Sequence, residues 1–239
     1  MIAPAPTFPP LLSGLAVGAG LDPFAKAMSM AMIGCDSGLV TYAEAEGRLR
    51  WALGLAPAGP LEEAMAMVLA AGVAFSDALG ALGPPETAVH LEWPGTIRLN
   101  GAQVGAIRAG IADADMDPAR EVPWLCLGLD VALKMEAGRE PGYDPDRTTL
   151  AEEGCGDIGA TQLLESWSRH MLVWINRWLD EGTQPLHRDW SGRAHLMGED
   201  VSVMGEAGTF LGLDERGGML VRQGSGTTLL PLTRMLERS

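Results

Sequence analysis

The sequence predicts an α+β fold, in which a mixed β-sheet with helices on one face precedes a small C-terminal β-barrel. The first observation is Asn100-Gly101, which joins two alternating β-like runs. Both residues tolerate positive φ, so the dipeptide is a strong hairpin signal. The second is a pair of long helical segments at 61–82 and 162–181. The third is the stretch from residue 196, where glycines interrupt short β-like runs.

The N-terminal part of the chain predicts an extended arm, one helix and two strands. Prolines are frequent in residues 1–13, which favours an extended arm. Asp22 is the predicted N-cap of a helix over 23–33, because a proline follows it at the first helical position. Alternating apolar residues then predict strands at 37–42 and 48–55.

The middle of the chain predicts a long helix, the hairpin and an apolar strand. Glu62 and Glu63 lie in the first turn of the helix over 61–82, where the helix dipole favours acids, and a Gly-Pro-Pro run ends it. The hairpin region extends over 89–112. A polar loop separates it from an apolar strand at 124–134.

The remainder predicts a loop at 139–149, a helical region beginning at 149–153, and the helix over 162–181. Gly182 ends that helix, because glycine readily adopts the left-handed conformation of a helix C-terminus. These elements divide the chain into an N-terminal arm (1–14), a main domain (15–188) and a small C-terminal β-barrel domain (189–239).

Composition argues against several classes of function. The chain has 239 residues, 47% of them apolar, which is enough for a sizeable core. Its net charge of −14 disfavours a nucleic-acid or anionic membrane surface. The N-terminus lacks the pattern of a signal peptide, and no apolar run approaches the length of a membrane span. We therefore expect a cytoplasmic protein without nucleic-acid or membrane partners.

The cysteines and histidines do not predict a metal site. Cys35, Cys126 and Cys155 are widely spaced and form no CxxC motif, so free buried thiols are favoured over a disulfide or a metal site. The four histidines lack the spacing of metal ligands, and we expect them to be structural.

Three segments carry a resemblance to a known family. The segment LEWPGTIRLNGAQVGAIRAG, at 91–110, resembles the central hairpin of the biotin/lipoate protein ligases, whose pattern is K-W-P-N-D, a strand, a turn and K-[VL]-A-G-I. The strand LCLGLDVAL resembles the family's G-[IL]-N-V strand, and GTFLGLDERGGMLV resembles the C-terminal barrel of biotin ligases. The resemblance covers about residues 15–236 and implies a biotin/lipoate-ligase-like mixed sheet with a small C-terminal barrel.

The sequence departs from the family pattern at the positions of its chemistry. Glu92 occupies the place of the motif lysine, and Gln103 that of the lysine the family uses in catalysis. Asp130 stands where asparagine is usual. The multi-arginine loop G-R-G-R-x-G-R is reduced to Glu46-Gly47-Arg48, and GLDPFAKA replaces the S/T-T-N signature.

The resemblance implies a ligand site on the hairpin and the strand that follows it. The implied ligand-binding positions are Trp93, Gly95, Thr96, Arg98, Gln103, Gly105, Gly128 and Asp130, with Arg48 as a candidate phosphate contact.

Simpler explanations remain open at these positions. Arg48 and Arg50 could be ordinary strand residues, Arg98 could face solvent, and the two strand glycines could serve tight packing. Arg108 is five residues after Gln103 and faces the opposite side of a regular strand, although a bulge would change this.

Members of the family use ATP to activate a carboxylate as an acyl-adenylate, and then transfer the acyl group to a lysine. This chemistry needs cationic or N–H donors directed at the phosphate. The missing cations predict a divergent, non-ligating member that binds a small carboxylic ligand or its carrier protein. If the family activity is retained, biotin or lipoate and ATP would be bound. A homodimer through sheet edges is compatible with each hypothesis.

Two alternatives stay open. The first is an active ATP-dependent ligase or acyltransferase with rearranged residues, for which Cys126 and Cys155 are the thiol candidates. The second is a protein–protein interaction module. A pocket beside Trp93, Gly105 and Gly128 would support a ligand-binding protein, and a pocket filled by side chains would support the module.

Overall fold

The computed structural model describes residues 5–18, 20–135 and 144–237. It contains a seven-stranded mixed sheet, a four-stranded antiparallel sheet and the helices that pack on them. The elements in chain order are β1 (Ser13–Ala16), α1 (Pro23–Met32), β2 (Leu39–Ala45), β3 (Arg48–Leu55), α2 (Leu61–Ala64), α3 (Ala66–Leu82), β4 (Val89–Glu92), β5 (Thr96–Leu99), β6 (Ala102–Gly110), β7 (Leu125–Ala132), α4 (Ala160–Glu181), α5 (Gln184–Ser191), β8 (Asp200–Val203), β9 (Glu206–Leu213), β10 (Met219–Gln223), β11 (Gly226–Leu230) and a final 3-10 helix (Leu232–Met235).

The large sheet has the strand order β1-β2-β3-β7-β6-β5-β4, and only β1 pairs in parallel, with β2. Its central strands β3 and β7 pair along their whole lengths, with Leu53 opposite Leu127 and Trp51 opposite Leu129. The predicted α+β fold with a mixed sheet is confirmed, and the C-terminal strands β8–β11 form a four-stranded antiparallel sheet.

The core lies between the large sheet and helices α3 and α4. Every residue of α3 from Ala66 to Ser76 is buried, and Trp167 of α4 donates its indole N–H to the carbonyl of Ala71. By length and composition alone, Leu61–Leu82 could cross a membrane, with a mean hydropathy of 1.8. The prediction that no segment would reach this length and composition is wrong. The segment is a core helix, and 72% of it is buried inside the protein.

Helix α1 packs on the opposite face of the sheet from α3 and α4, whereas the sequence predicted helices on one face. Phe24 and Ala27 contact Ala52 and Cys126, whose small side chains leave room for a helix. The predicted N-cap is confirmed, because Asp22 accepts a hydrogen bond from the backbone N–H of Phe24 at 3.0 Å.

The predicted hairpin is confirmed in β5 and β6. Asn100 and Gly101 adopt φ values of 49° and 98°, as a tight turn between right-twisted strands requires. The pairing shifts by one residue between Ile97 and Arg98, so Gly105 and Gln103 of β6 oppose consecutive residues of β5. Val104 is therefore the extra residue of a β-bulge.

Other elements differ from the predictions mainly at their ends. The strand predicted at 37–42 occupies 39–45. The helix predicted at 162–181 is α4, Ala160–Glu181, and Gly182 caps it with φ 75°. The helical region predicted from 149–153 is a series of turns. The predicted loop at 139–149 lies partly outside the described residues. Helix α5 was not predicted, because it is only eight residues long.

The C-terminal sheet packs closely against α2 and α3. Gly217, in the turn between β9 and β10, has φ 80°, and a Cβ atom there would lie 2.7 Å from Leu69 and 2.8 Å from Leu232. Arg216 in the same turn pairs with Glu62 at the start of α2, at 2.7 Å. These contacts attach the C-terminal sheet to the helices of the core.

Candidate functional site

The face of the large sheet that contacts α1 carries a group of charged side chains, which we call the α1 face. Because side chains alternate along a strand, Arg48 and Arg50 share this face with Ala52, which contacts α1. Asp130 shares it with Gly128, whose Cα faces the Phe24 ring. The predicted phosphate contact and several of the predicted ligand residues therefore lie on one face.

The β-bulge places Gln103 on the α1 face together with Arg108. Arg98 opposes Gln103 and Thr96 opposes Ala106, and residues directly opposite in an antiparallel pair share a face. Arg98 and Thr96 are two residues apart and therefore share a face. The side chains of Thr96, Arg98, Gln103 and Ala106 thus all lie on the α1 face. The strand is not regular, because Val104 is an extra residue, so Arg108 faces the same side as Gln103 through the bulge that the sequence left open.

Arg48 and Asp130 bind each other across β3 and β7. The Nε atom of Arg48 donates to Oδ1 of Asp130 at 2.7 Å, and both side chains are about one-third exposed. The candidate phosphate contact is therefore already paired with a carboxylate. The same pair balances the charge of Asp130, which would otherwise repel a phosphate.

Arg50 differs from the other arginines of the α1 face. Its Nε atom is buried and has no hydrogen-bond partner within the described residues. Asp130 is its neighbour in the strand register, but that carboxylate is bound to Arg48. A buried donor without an acceptor is costly, so the Arg50 guanidinium is suited to an anion that comes from outside. The sequence favoured an ordinary strand residue at Arg50 over a phosphate contact, as it did at Arg48.

Arg108 binds two carboxylates. Its Nε and Nη2 atoms donate to the two oxygens of Glu237 at 2.5 and 2.7 Å, and Nη1 donates to Asp22 at 2.9 Å. The guanidinium also lies 4.3 Å from the centre of the Phe24 ring. The hydrogen bonds from Arg108 to Glu237, and next those to Asp22, raise the pKa of Arg108 against the opposing effect of burial.

Arg98 and Glu92 form a third pair at the outer end of the α1 face. The Nε atom of Arg98 donates to Glu92 at 2.5 Å, and Nη1 donates to the carbonyl of Gly101 at 2.9 Å. Arg98 is thus neither a free cation nor an ordinary solvent-facing side chain. Glu92, in the place of the family's motif lysine, is neutralised within the hairpin.

Gln103 has few side-chain contacts. Its Nε2 lies 3.5 Å from the carbonyl of Gly105, at the limit of a hydrogen bond. Its backbone is well bonded: the N–H donates to Asp146 at 2.8 Å, and the carbonyl accepts from Thr148 at 2.9 Å. The site thus has a neutral amide at the position of the family lysine.

Three glycines predicted to contact a ligand lie where strands and α1 approach closely. A Cβ atom on Gly128 would lie 2.6 Å from the Phe24 ring, one on Gly105 2.7 Å from the carbonyl of Asp130, and one on Gly95 2.7 Å from the carbonyl of Ile107. Phe24 occupies the space beside Gly128. Contact with a ligand at these glycines stays a prediction.

Trp93 is 2% exposed and belongs to the main core. Its indole Nε1–H donates to the carbonyl of Gly217 in the C-terminal sheet at 3.0 Å. This places Trp93 on the opposite side of the hairpin from the charged pairs of the α1 face, and its predicted ligand role is likewise untested.

The cysteines are free, and two of the three are buried. Burial raises the pKa of Cys126 to about 12, so its thiolate is scarce at neutral pH. Within the described residues, no group of three or more His, Cys, Asp or Glu side chains could hold a metal ion. A cavity of about 330 Å³ lies beside Cys35 and Trp124, at the C-terminal end of α1 and away from Arg108.

Two family models match the chain. The model of the biotin/lipoate A/B protein ligase family matches residues 8–192. The model of a domain of unknown function, DUF4444, matches residues 197–238.

Individual relatives agree with these matches. A biotin protein ligase-like protein of unknown function from Silicibacter sp. tm1040 has a crystal structure that superposes with a TM-score of 0.91. It is 49% identical, over 98% of this chain and 100% of that one. The biotin–[acetyl-CoA-carboxylase] ligase of Paracoccus denitrificans is 26% identical over 190 residues, 77% of this chain and 78% of the relative. The biotin protein ligase of Aquifex aeolicus, 19% identical with a TM-score of 0.71 over 88% and 91% of the two chains, shares the fold.

Proposed function

The chain belongs to the biotin/lipoate A/B protein ligase family, and from that premise we propose that it is a divergent member that binds a small carboxylic ligand without forming an acyl-adenylate. The ligand lies on the α1 face, with the Arg50 guanidinium as its principal cationic contact. Its carrier protein is the second binding partner that we propose.

One observation carries the proposal: the arginines of the α1 face other than Arg50 are already neutralised by this chain's own acids. Arg48 binds Asp130, Arg98 binds Glu92, and Arg108 binds both Asp22 and Glu237. Gln103 supplies an amide in place of an ammonium. Forming an adenylate needs donors directed at the α-phosphate and the developing oxyanion, and paired guanidiniums supply few.

Arg50 supports binding of a carboxylate at this face. Its buried Nε has no acceptor in the described part of the chain. A ligand carboxylate would form charge-assisted hydrogen bonds with the partly exposed Arg50 guanidinium, each roughly twice as strong as a neutral one. The bound Asp130–Arg48 pair next to it would then limit repulsion between the ligand and Asp130.

The relatives indicate which carrier to test. The Paracoccus denitrificans relative is named for acetyl-CoA carboxylase, so we propose the biotin carrier domain of that carboxylase as the protein partner. A cytoplasmic location, a homodimer and the division at residues 14 and 188 belong to the same proposal.

A protein–protein interaction module is the second candidate, and one observation favours it. Phe24 fills the space beside Gly128, and a ligand that approached this strand would have to displace the ring. An acyltransferase with a cysteine nucleophile is less favoured, because the raised pKa of Cys126 keeps that thiol protonated.

The experiment is a thermal-shift titration with biotin, lipoate, octanoate and ATP, singly and in combination. A ligand that binds only the native state raises Tm in a concentration-dependent manner. We expect an acid alone to raise Tm, and Arg50→Gln to abolish the rise. Arg222→Gln is the matched control, because it removes the same charge from the exposed surface of the C-terminal sheet.

Two results would contradict the proposal. Stabilisation by an acid with ATP, beyond that of either alone, would indicate adenylation. Transfer of biotin to the carrier domain, detected by mass spectrometry with the Aquifex aeolicus ligase as positive control, would show a ligase. If no acid raises Tm but the carrier domain binds, the interaction module is correct.

A further inference from the structure

We propose that the ligand of the α1 face is a dicarboxylic acid, whose second carboxylate binds Arg108 in place of Glu237. The inference rests on the proposed function and extends it, because it names the class of acid. It also gives Glu237 a role, as an internal carboxylate that occupies Arg108 until the ligand arrives.

The contact between Arg108 and Glu237 has the geometry of carboxylate recognition. Two parallel hydrogen bonds, at 2.5 and 2.7 Å, join the Nε–Nη2 edge of the guanidinium to the two oxygens of Glu237. This bidentate arrangement suits a free carboxylate equally well. The remaining Nη1 is bound to Asp22 at 2.9 Å, and the Phe24 ring stacks against the cation, so both hold the guanidinium in place when Glu237 leaves.

The Glu237 side chain can be displaced, because it is partly exposed although Leu236 before it is buried in the core. Its side chain is 42% exposed, and that of Arg108 is 38% exposed, so solvent reaches both groups. The backbone at these two residues is joined to β6 by the bridge between Leu236 and Ala109 and by one hydrogen bond from Glu237 to Ala109, at 3.1 Å. Rotation of the Glu237 side chain would free Arg108 without breaking these backbone contacts.

Arg50 and Arg108 are spaced for one elongated molecule. Arg50 opposes Asp130, which opposes Ala106 on the next strand, and Arg108 is two residues further along. The Cα atoms of Arg50 and Arg108 are separated by two strand spacings of about 4.8 Å across the sheet and by two residues of about 3.3 Å each along the strand. These two displacements place the Cα atoms roughly 12 Å apart. The Arg50 guanidinium has a buried Nε atom without a partner in the described part of the chain. The Arg108 guanidinium is bound to Glu237, which a ligand carboxylate can replace.

Charge on the α1 face also favours a ligand with two carboxylates. A monocarboxylate bound to Arg50 leaves the Arg108–Glu237 pair unchanged and gains nothing from it. A dicarboxylate gains a second bidentate pair, but it competes with Glu237, whose effective concentration at Arg108 is at least on the order of millimolar. Removing the Glu237 charge should therefore strengthen dicarboxylate binding only.

The experiment compares octanoate with octanedioate, which have the same chain length, by isothermal titration calorimetry on the full chain. We expect octanedioate to bind the wild type more tightly, but by less than the roughly 10-fold of one additional charge-assisted pair, because it displaces Glu237 from Arg108. Glu237→Gln should strengthen octanedioate binding several-fold and leave octanoate unchanged. The control is Glu199→Gln, which removes the same charge from an exposed position outside the α1 face.

Arg108→Gln should abolish the preference for octanedioate. Because this change leaves two carboxylates unpaired and could destabilise α1, Glu237→Gln provides the independent test. Equal binding of both acids in the wild type and in Glu237→Gln overturns the inference and leaves the proposed function intact. Binding of neither acid overturns both.

Discussion

Trp93 donates its indole N–H to the carbonyl of Gly217 at 3.0 Å, and this hydrogen bond joins the turn between β4 and β5 to the turn between β9 and β10. The two residues are 124 positions apart in the chain. The bond is buried, and it links the two sheets directly.

Trp93→Phe should therefore lower the free energy of unfolding by more than the lost apolar contacts of the indole alone would. The substitution leaves the Gly217 carbonyl buried without a partner, which costs about 1–3 kcal/mol. The matched control is Trp51→Phe, because Trp51 is equally buried but its Nε1 has no hydrogen-bond partner within the described residues. Urea denaturation of both variants measures the difference, and an equal loss of unfolding free energy would show that the Trp93 hydrogen bond contributes nothing.

Gly217→Ala tests the close packing of the C-terminal sheet. The methyl group would meet Leu69 and Leu232 at under 3 Å, and the residue also has a positive φ. Gly205→Ala is the control, because Gly205 has φ 84° but nothing within 4 Å of its Cβ position. We expect Gly217→Ala to cost about 1–3 kcal/mol more than the control, measured by chemical denaturation. Similar costs would mean that backbone strain alone matters at both positions.

Gln103→Lys tests whether the missing lysine alone prevents ligation. The new ammonium would lie on the α1 face, but the neighbouring Arg98 and Arg108 would remain bound to carboxylates. We expect no transfer of biotin to the carrier domain, measured by mass spectrometry, with Gln223→Lys as the charge-matched control in the C-terminal sheet. Transfer by Gln103→Lys alone would disprove the view that the paired arginines prevent ligation.

The three cysteines should differ in reactivity. Cys126 is fully buried, and its pKa is raised to about 12 mainly by burial, so very little of the thiol is ionised near pH 8. We expect iodoacetamide to label Cys35 in the native protein, and to label Cys126 and Cys155 only after unfolding. Peptide mapping by mass spectrometry reads out the order. Rapid native labelling of Cys126 would revive the acyltransferase alternative.

His195 should make stability fall on the acid side of neutrality. Burial, and then the positive charge of Arg98, lower its pKa below the ordinary value of 6.5; His90 acts in the same direction, and Glu92 opposes them. Protonation therefore favours the unfolded chain, so the contribution of His195 is complete above about pH 6.5 and is lost as the pH falls through its folded pKa. His195→Gln should lose less unfolding free energy than the wild type between about pH 7.5 and pH 5, measured by urea denaturation. His170→Gln on α4 is the control, and an unchanged acid loss in His195→Gln would contradict the prediction.

The sequence predicted most elements whose signals are local. The turn at Asn100-Gly101, the N-cap Asp22 and the end of α4 at Gly182 each depend on the conformational preference of one or two residues, and each is confirmed. The long helix was also located correctly, apart from its division into α2 and α3.

The candidate site was less predictable, because its contacts join distant parts of the chain. Arg108 and Glu237 are 129 residues apart, and no local pattern indicates that they meet. The bulge at Val104 depends on the register of β5 against β6, and it moved Arg108 to the same face as Gln103. Phe24 fills the space beside Gly128 because α1 covers this face of the sheet, and no local sequence pattern indicates which face α1 covers.

The buried helix α3 has a consequence for how the chain must be made. Its apolar surface is covered by strands that precede and follow it, and by α4, which begins 78 residues after Leu82. During synthesis, the apolar helix α3 is thus complete long before α4, which covers it, has been made. We expect chains truncated before Ala160 to aggregate or to be held by chaperones, because the side of α3 that α4 covers would face water.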